Sequence, residues 1–230
     1  MGQHILSGNP PVPVVLRRSA RARRFTLRVS RLDGRVTLTL PSSASEREGM
    51  AFVREKEGWI RKQLSEHVPL QGIEIGSVVP FEGRPRRLTA IDGARVILSD
   101  NEIGLPRGGA NAGARLKGFL REKARSRFAE AAHHYAGRLD RAYSAILLKD
   151  TRSRWGSCTH DGKLMFSWRL IMAPRDVLDY VAAHEVAHLQ HMDHSPAFWA
   201  TVERIYGPCA DQREWLRRDG AKLHAIRFED

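Results

Sequence analysis

Residues 182–195 read AAHEVAHLQHMDHS, and four histidines and one glutamate fall within eleven of these positions. On a helix His184 and His188 stack on one face, about 6 Å apart, and can share a metal ion. Glu185 stands beside the first histidine and can reach a metal-activated water without being a ligand itself. A bound cation lowers the pKa of water toward neutrality, and a neighbouring carboxylate accepts the proton. The spacing H-E-x-x-H carries that physical content.

Catalytic zinc usually takes three protein ligands and keeps one position open. His191 and His194 are both candidates for the third. His191 shares the face of His188, but a straight helix puts it about 10 Å along the axis from His184. His194 reaches the pair if the helix ends near residue 191 and the chain folds back. Asp193 tolerates turns and Pro196 is poor inside a continuing helix, so His194 is favoured. Val181, Ala182, Ala183, Val186, Ala187 and Leu189 are apolar or small, which makes this helix buried on most sides. Burying two histidines and a glutamate without a partner is unfavourable. With His191 set aside, no further Cys or His sits close in sequence, which argues against a closed structural zinc. One Zn2+ is the expected cofactor; manganese, cobalt and iron also accept imidazole ligands.

Outward from the histidines, MAPRDVLDYVAAHEVAHLQH (172–191) predicts a helix with Pro174 in its first turn and Asp176 and Asp179 toward its positive end. SPAFWATVERIYG (195–207) and DQREWLRRDGAKLHAI (211–226) predict two more. Upstream, SAILLKDTRSRWGSC (144–158) opens as a strand, HDGK (160–163) turns it, and Leu164, Phe166, Trp168 and Leu170 alternate on the return. A long amphipathic helix is expected over about 116–142. The glycine-rich PRGGANAGA (106–114) is the best linker candidate. Residues 70–106 read as short strands, a helix is expected over about 45–67, and Asp33-Gly34 between two alternating runs signals a hairpin. Residues 1–15, with Pro10, Pro11 and Pro13, read as a disordered lead-in. The expected division is therefore 1–15 lead-in, 16–110 β-rich with one helix, and 111–230 carrying the histidines.

The chain has 230 residues, 42% hydrophobic and 28% charged, long enough to bury a sizeable core. No apolar run of about 18 residues predicts a membrane span, and the N-terminus does not read as a secretory signal. Cys158 and Cys209 form no CxxC pair and read as reduced thiols in a cytoplasmic protein. The formal charge is +12, which favours polyanions; because the arginines are spread along the chain, a merely basic, solvated surface is the competing reading. RRSARARR (17–24) concentrates Arg17, Arg18, Arg21, Arg23 and Arg24 as candidate nucleic-acid contacts.

TRSRWGSC (151–158), FSWRLIMAP (166–174) and DYVAAHEVAHLQHMDHSPAFW (179–199) resemble the YgjP-like metallopeptidases, relatives of the SprT and Spartan group. Upstream, RRSARARRFTLRVSRLDGRVTLTLP (17–41) and EGWI (57–60) are similar to that family's N-terminal β-rich part, so the resemblance covers about residues 15–225. It implies an α+β fold with a zincin-like metallopeptidase core, zinc on His184, His188 and His194, Glu185 as general base, and hydrolysis of a peptide or protein substrate. The spacing of the histidines also matches the metzincins, with His191 where they carry glycine and no methionine-turn signature. Zincin-type folds run an edge strand beside the active helix, where extended substrate pairs with it. The hairpin over 146–170 is the expected supplier, so Arg152, Arg154, Trp155 and Ser157 are candidate cleft residues. For Trp155 core packing is the competing reading, and for Arg154 a buried ion pair. Tyr206 is a candidate donor to a tetrahedral oxyanion, and core packing competes there too. Cys158 reads as a small buried residue, and His133, His134 and His160 as surface residues. Two alternatives share the motif: a DNA-associated SprT-like protease acting on DNA-bound or cross-linked proteins, and a non-enzymatic binding module with structural metal.

Overall fold

The computed structural model describes residues 3–30, 33–65, 70–108 and 111–228. The chain divides into two compact units, Met1–Leu70 and Gln71–Asp230. Together they make an α+β protein, as expected.

The first unit opens with strands β1 (Gln3–Leu6) and β2 (Val12–Ser19). The expectation of a disordered lead-in over 1–15 is corrected here. Val12, Val14 and Leu16 are buried, alternating in the way a half-buried strand requires. The prolines that suggested disorder are compatible with this. Pro10 and Pro11 lie between the strands, and the β2 pairing with β4 (Val36–Pro41) begins only at Val14, past Pro13. A missing N–H at Pro13 therefore removes nothing from that ladder. Strand β3 (Thr26–Val29) pairs antiparallel with β4, the expected hairpin, and Gly34 turns it with φ 66°. The sheet order is β1-β2-β4-β3. The helix expected over 45–67 is two helices, α1 (Glu46–Glu55) and α2 (Glu57–Ser65), interrupted at Lys56; residues 66 and 67 lie outside the described residues. Ser45 caps α1: its Oγ accepts the Glu48 N–H while the Glu48 carboxylate accepts the Ser45 N–H, a reciprocal pair that fixes the helix start. Leu38 and Leu40 pack against Gly49 of α1.

The second unit contains β5 (Gln71–Gly72) and a sheet of β6 (Val78–Phe81), β7 (Arg84–Ile91), β8 (Ile97–Leu98) and β9 (Glu102–Pro106), ordered β6-β7-β9-β8. Helix α3 (Ala112–Leu139) follows and ends at Asp140, whose φ is 54°. The division into units falls before this sheet, not in the glycine-rich stretch expected to link domains. The physical reason is a shared core: Val79, Phe81, Leu88, Ile103 and Leu105 of the sheet belong to one apolar cluster with Leu116, Leu120 and Phe128 of α3.

Next come β10 (Ala145–Lys149), β11 (Gly156–Cys158) and β12 (Lys163–Ser167) in the order β10-β12-β11. Strand β11 pairs antiparallel with β12, and β10 pairs parallel. The return strand was expected to run through Leu170. It stops at Ser167, and Trp168–Met172 coil into a 3-10 turn whose five residues are all buried. Burial on every side suits a coil in the core better than a strand with an outer face. Helices α4 (Arg175–Ala187), α5 (Pro196–Ile205), α6 (Ala210–Arg218) and α7 (Gly220–Ala225) complete the unit, and β13 (Ile226–Arg227) pairs with β5. The single last helix expected over 211–226 is thus divided at Asp219. No helix among the described residues is long and apolar enough to cross a membrane.

Candidate metal centre

Helix α4 carries His184 and Glu185 and reaches its C-cap at His188, sooner than the sequence suggested. Its end tightens as the Leu189 N–H donates to the Val186 carbonyl (2.9 Å) and the Gln190 N–H to the Ala187 carbonyl (3.0 Å). The chain then folds back. The Asp193 carboxylate accepts the Ser195 N–H (3.0 Å), and Ser195 Oγ accepts the Phe198 N–H (3.4 Å) to start α5, with Pro196 in its first turn. These are the turn-forming roles that Asp, Ser and Pro perform.

The fold-back delivers His194 to the helix. His194 Nε2 lies 3.1 Å from His184 Nε2, close to the edge of about 3.3 Å that a tetrahedron with 2.0–2.1 Å bonds would have. One ligand atom from each of His184, His188 and His194 lies within 4.8 Å of the others. Among the described residues the group comprises these three. His188 Nδ1 is 2.8 Å from the His191 carbonyl oxygen. A carbonyl only accepts, so Nδ1 carries the proton and the Nε2 lone pair is free for a metal. His191 thus contributes its backbone, while its imidazole stays outside the group. Sequence reading missed this because any residue can supply a carbonyl. It also missed Phe198, whose ring stacks on His188 at 4.4 Å and meets His184 and His194 edge-on at 4.9 and 4.8 Å.

Electrostatics at the site favour a cation. Burial, with the neighbouring imidazoles and Arg213, pushes His184 down to about 3. Burial also lowers His188. Burial thus favours the neutral form of His184 and His188, and their lone pairs converge with the His194 ring on one point. Glu185 is 6% exposed; burial pushes its carboxyl up to about 8, against a downward pull from Arg154. Convergent lone pairs beside a desolvated carboxyl form a donor set short of positive charge, which a divalent ion supplies.

Gly156 of β11 makes room for that carboxyl. A Cβ there would stand 2.4 Å from Glu185 Oε1 and 2.5 Å from its Cγ. The signal was available in the sequence, because a glycine inside a strand often marks a close approach. Strand β11 is one of the two outer strands of its sheet, and it lies beside α4 through this contact.

The other candidates divide. Arg154 is exposed, and its charge acts on Glu185. Ser157 is half-buried on β11, opposite Met165. Trp155 stacks on His224 with ring centroids 5.1 Å apart and lies against Gly220. Arg152 is exposed. Tyr206 is not brought to the histidines. Its hydroxyl donates to the Asp176 carbonyl (2.9 Å), on the first turn of α4 and about 12 Å along the axis from His184. Cys158 and Cys209 are free thiols; burial and the charges of Glu185 and Asp161 raise Cys158 to about 11. His133, His134 and His160 are exposed and outside the group. Of the arginine run, Arg17, Arg21, Arg23 and Arg24 are exposed, whereas Arg18 donates to the carbonyls of Ser42 (3.3 Å) and Ala44 (2.7 Å).

A family model described as YgjP-like, metallopeptidase domain matches residues 23–219. Among solved structures, the chain is similar at 19% identity to the metallopeptidase zymogen of Pyrococcus abyssi abylysin. The match covers 42% of this chain and 94% of that one, with a TM-score of 0.37. No curated protein matches the chain.

Proposed function

This chain belongs to the YgjP-like metallopeptidase family, and on that premise we propose that it is a zinc-dependent peptidase using Glu185 as general base. The observation that carries the reading is the convergence of three imidazoles around one point, with a buried carboxyl on the adjoining residue that is not among the ligands. His184, His188 and His194 would hold one Zn2+, each through Nε2. The ion would supply Lewis acidity, lowering the pKa of water in the open position toward neutrality and polarising the scissile carbonyl.

The chain's own residues do the rest. The outer edge of β11 offers backbone groups to an extended peptide, the mode by which a strand is added to a sheet. Ser157 lies on that strand, and Arg154 precedes it with a charge that already reaches Glu185. Glu185 takes the proton of the attacking water as oxygen bonds to the carbonyl carbon. As the C–N bond breaks, the same carboxyl returns a proton to the leaving amine nitrogen. Phe198 and the His191 carbonyl hold His188 in orientation. The chemistry belongs to the unit beginning at Gln71.

Glu185→Gln tests this. Hydrolysis of a quenched-fluorescent peptide mixture should fall by about 10²- to 10⁴-fold, with zinc content unchanged. Unaltered cleavage in the variant would remove Glu185 from the role. Absence of cleavage by the zinc-loaded wild type would favour a binding module with a structural ion.

A further inference from the structure

The first unit carries charge out of proportion to its size. Residues 1–70 contain 13 Lys and Arg against 6 Asp and Glu, a formal +7 of the chain's +12. Arg17, Arg21, Arg23, Arg24 and Arg28 are exposed and, among the described residues, no carboxylate pairs with them. Cations left unpaired near one another repel, and the fold does not use them internally. Arg18, pinned to Ser42 and Ala44, shows what a structural arginine in the same run looks like.

Their placement is ordered. Helix α1 covers the Leu38 and Leu40 face of the sheet. On the opposite face Arg17, Thr39 and Thr26 stand side by side in one row, and Thr37 and Arg28 in the next. At the β3 edge lies an open groove of about 620 Å³. Phe25 and Phe52 stack at 5.5 Å along it, and the Lys56 ammonium sits 5.8 Å from the Phe52 centroid. Trp59, 45% exposed, and Arg24 complete the lining. Lys56 also pairs with Glu55 at 2.8 Å, whereas Arg24 is exposed. A large exposed indole with an arginine beside it is the pairing that unstacked bases and phosphates select, since every base has a flat face and every linkage a negative charge. Duplex DNA keeps its bases stacked inside, and an acidic peptide has no comparable use for the indole face.

We propose that the first unit binds single-stranded nucleic acid, with a base stacked on Trp59 and phosphates on Arg21, Arg23 and Arg24. The site is independent of the peptidase reading.

Fluorescence anisotropy with a labelled oligothymidylate of about 20 nucleotides tests the proposal on the full chain. Wild type should bind, with affinity falling as salt rises. Trp59→Ala should weaken binding by about 5- to 100-fold, and Trp59→Phe should retain most of it. Replacing Arg21, Arg23 and Arg24 together by Ser should flatten the slope of log affinity against log salt by about 2. The proposal is overturned if the oligonucleotide does not bind at low salt or if Trp59→Ala binds like wild type. Loss in Trp59→Phe as large as in Trp59→Ala would also overturn it. So would a duplex of the same length, or polyglutamate, binding as tightly as the single strand.

Discussion

A side chain at position 156 would have to occupy space already taken by the Glu185 carboxyl. Gly156→Ala is therefore expected to push that carboxyl aside while leaving the three imidazoles in place. Displacement of a catalytic group by about 1 Å can cost about 10²-fold in rate. The variant should lose peptide cleavage on that scale and keep its zinc; unchanged cleavage would show that the carboxyl has room to yield. At this scale the sequence was legible where helical spacing and turn chemistry fix position: the meeting of His184 and His188 on one helix face, and the fold-back at Asp193 and Pro196 that brings His194 to them. The His191 carbonyl that holds His188 could not be read, because its contribution has no side-chain signature. The direction of the Tyr206 hydroxyl, toward the Asp176 carbonyl, could not be read either, because packing sets it.

Elements are held to one another by a few buried polar groups, and Arg169 is the clearest. Its Nε donates to Asp150 Oδ1 (2.6 Å) and its Nη2 to Oδ2 (3.1 Å), while Nη1 donates to the Leu223 and Ile226 carbonyls (2.8 and 2.9 Å). One side chain thus fastens the 3-10 turn to the end of β10, to α7 and to β13. Arg169→Met keeps the apolar stem but strands the carboxylate and two carbonyls. It should cost about 2–4 kcal/mol, visible as a lower urea midpoint; an unmoved midpoint would mean that water replaces the guanidinium freely. Element type was legible for the hairpin at Gly34, the long α3 and the helix bearing the histidines, all strongly patterned. It failed at β1 and β2, where three prolines outweighed the alternation of Val12, Val14 and Leu16. It failed again at Trp168–Leu170, where alternating large residues suggested a strand although their neighbours are buried too.

For the whole molecule, acid is the revealing perturbation. His224 is buried against Trp155. Burial pushes it from an ordinary 6.5 down to about 4, helped by the charges of Arg169 and Arg152 and opposed by Asp150. The unfolded chain takes up this proton near pH 6.5, and the native chain resists until about 4. Between those values the unfolded state binds more protons, so stability is full above about 6.5 and erodes as pH falls. The contribution reaches at most about 3 kcal/mol and is exhausted below about pH 4. His184 and His188 act in the same direction when no metal is bound. The comparison that isolates His224 is the urea midpoint at pH 7 and pH 4.5 in metal-free wild type and His224→Gln. A smaller acid loss in the variant is expected, and equal losses would contradict the assignment. The α+β class was implied by the family resemblance, and the strand and helix patterns along the chain agree with it. The unit boundary at Leu70 was not readable, because the glycine-rich stretch marks a change of element, whereas a boundary is set by which side chains share a core.

The central claim is that three imidazoles hold one ion while the adjoining carboxyl stays outside the ligand set. Elemental analysis of purified protein addresses it directly. Wild type, Glu185→Gln and His191→Ala should each carry close to one zinc per chain, and His194→Ala close to none. Zinc retained by His194→Ala and lost from His191→Ala would contradict it.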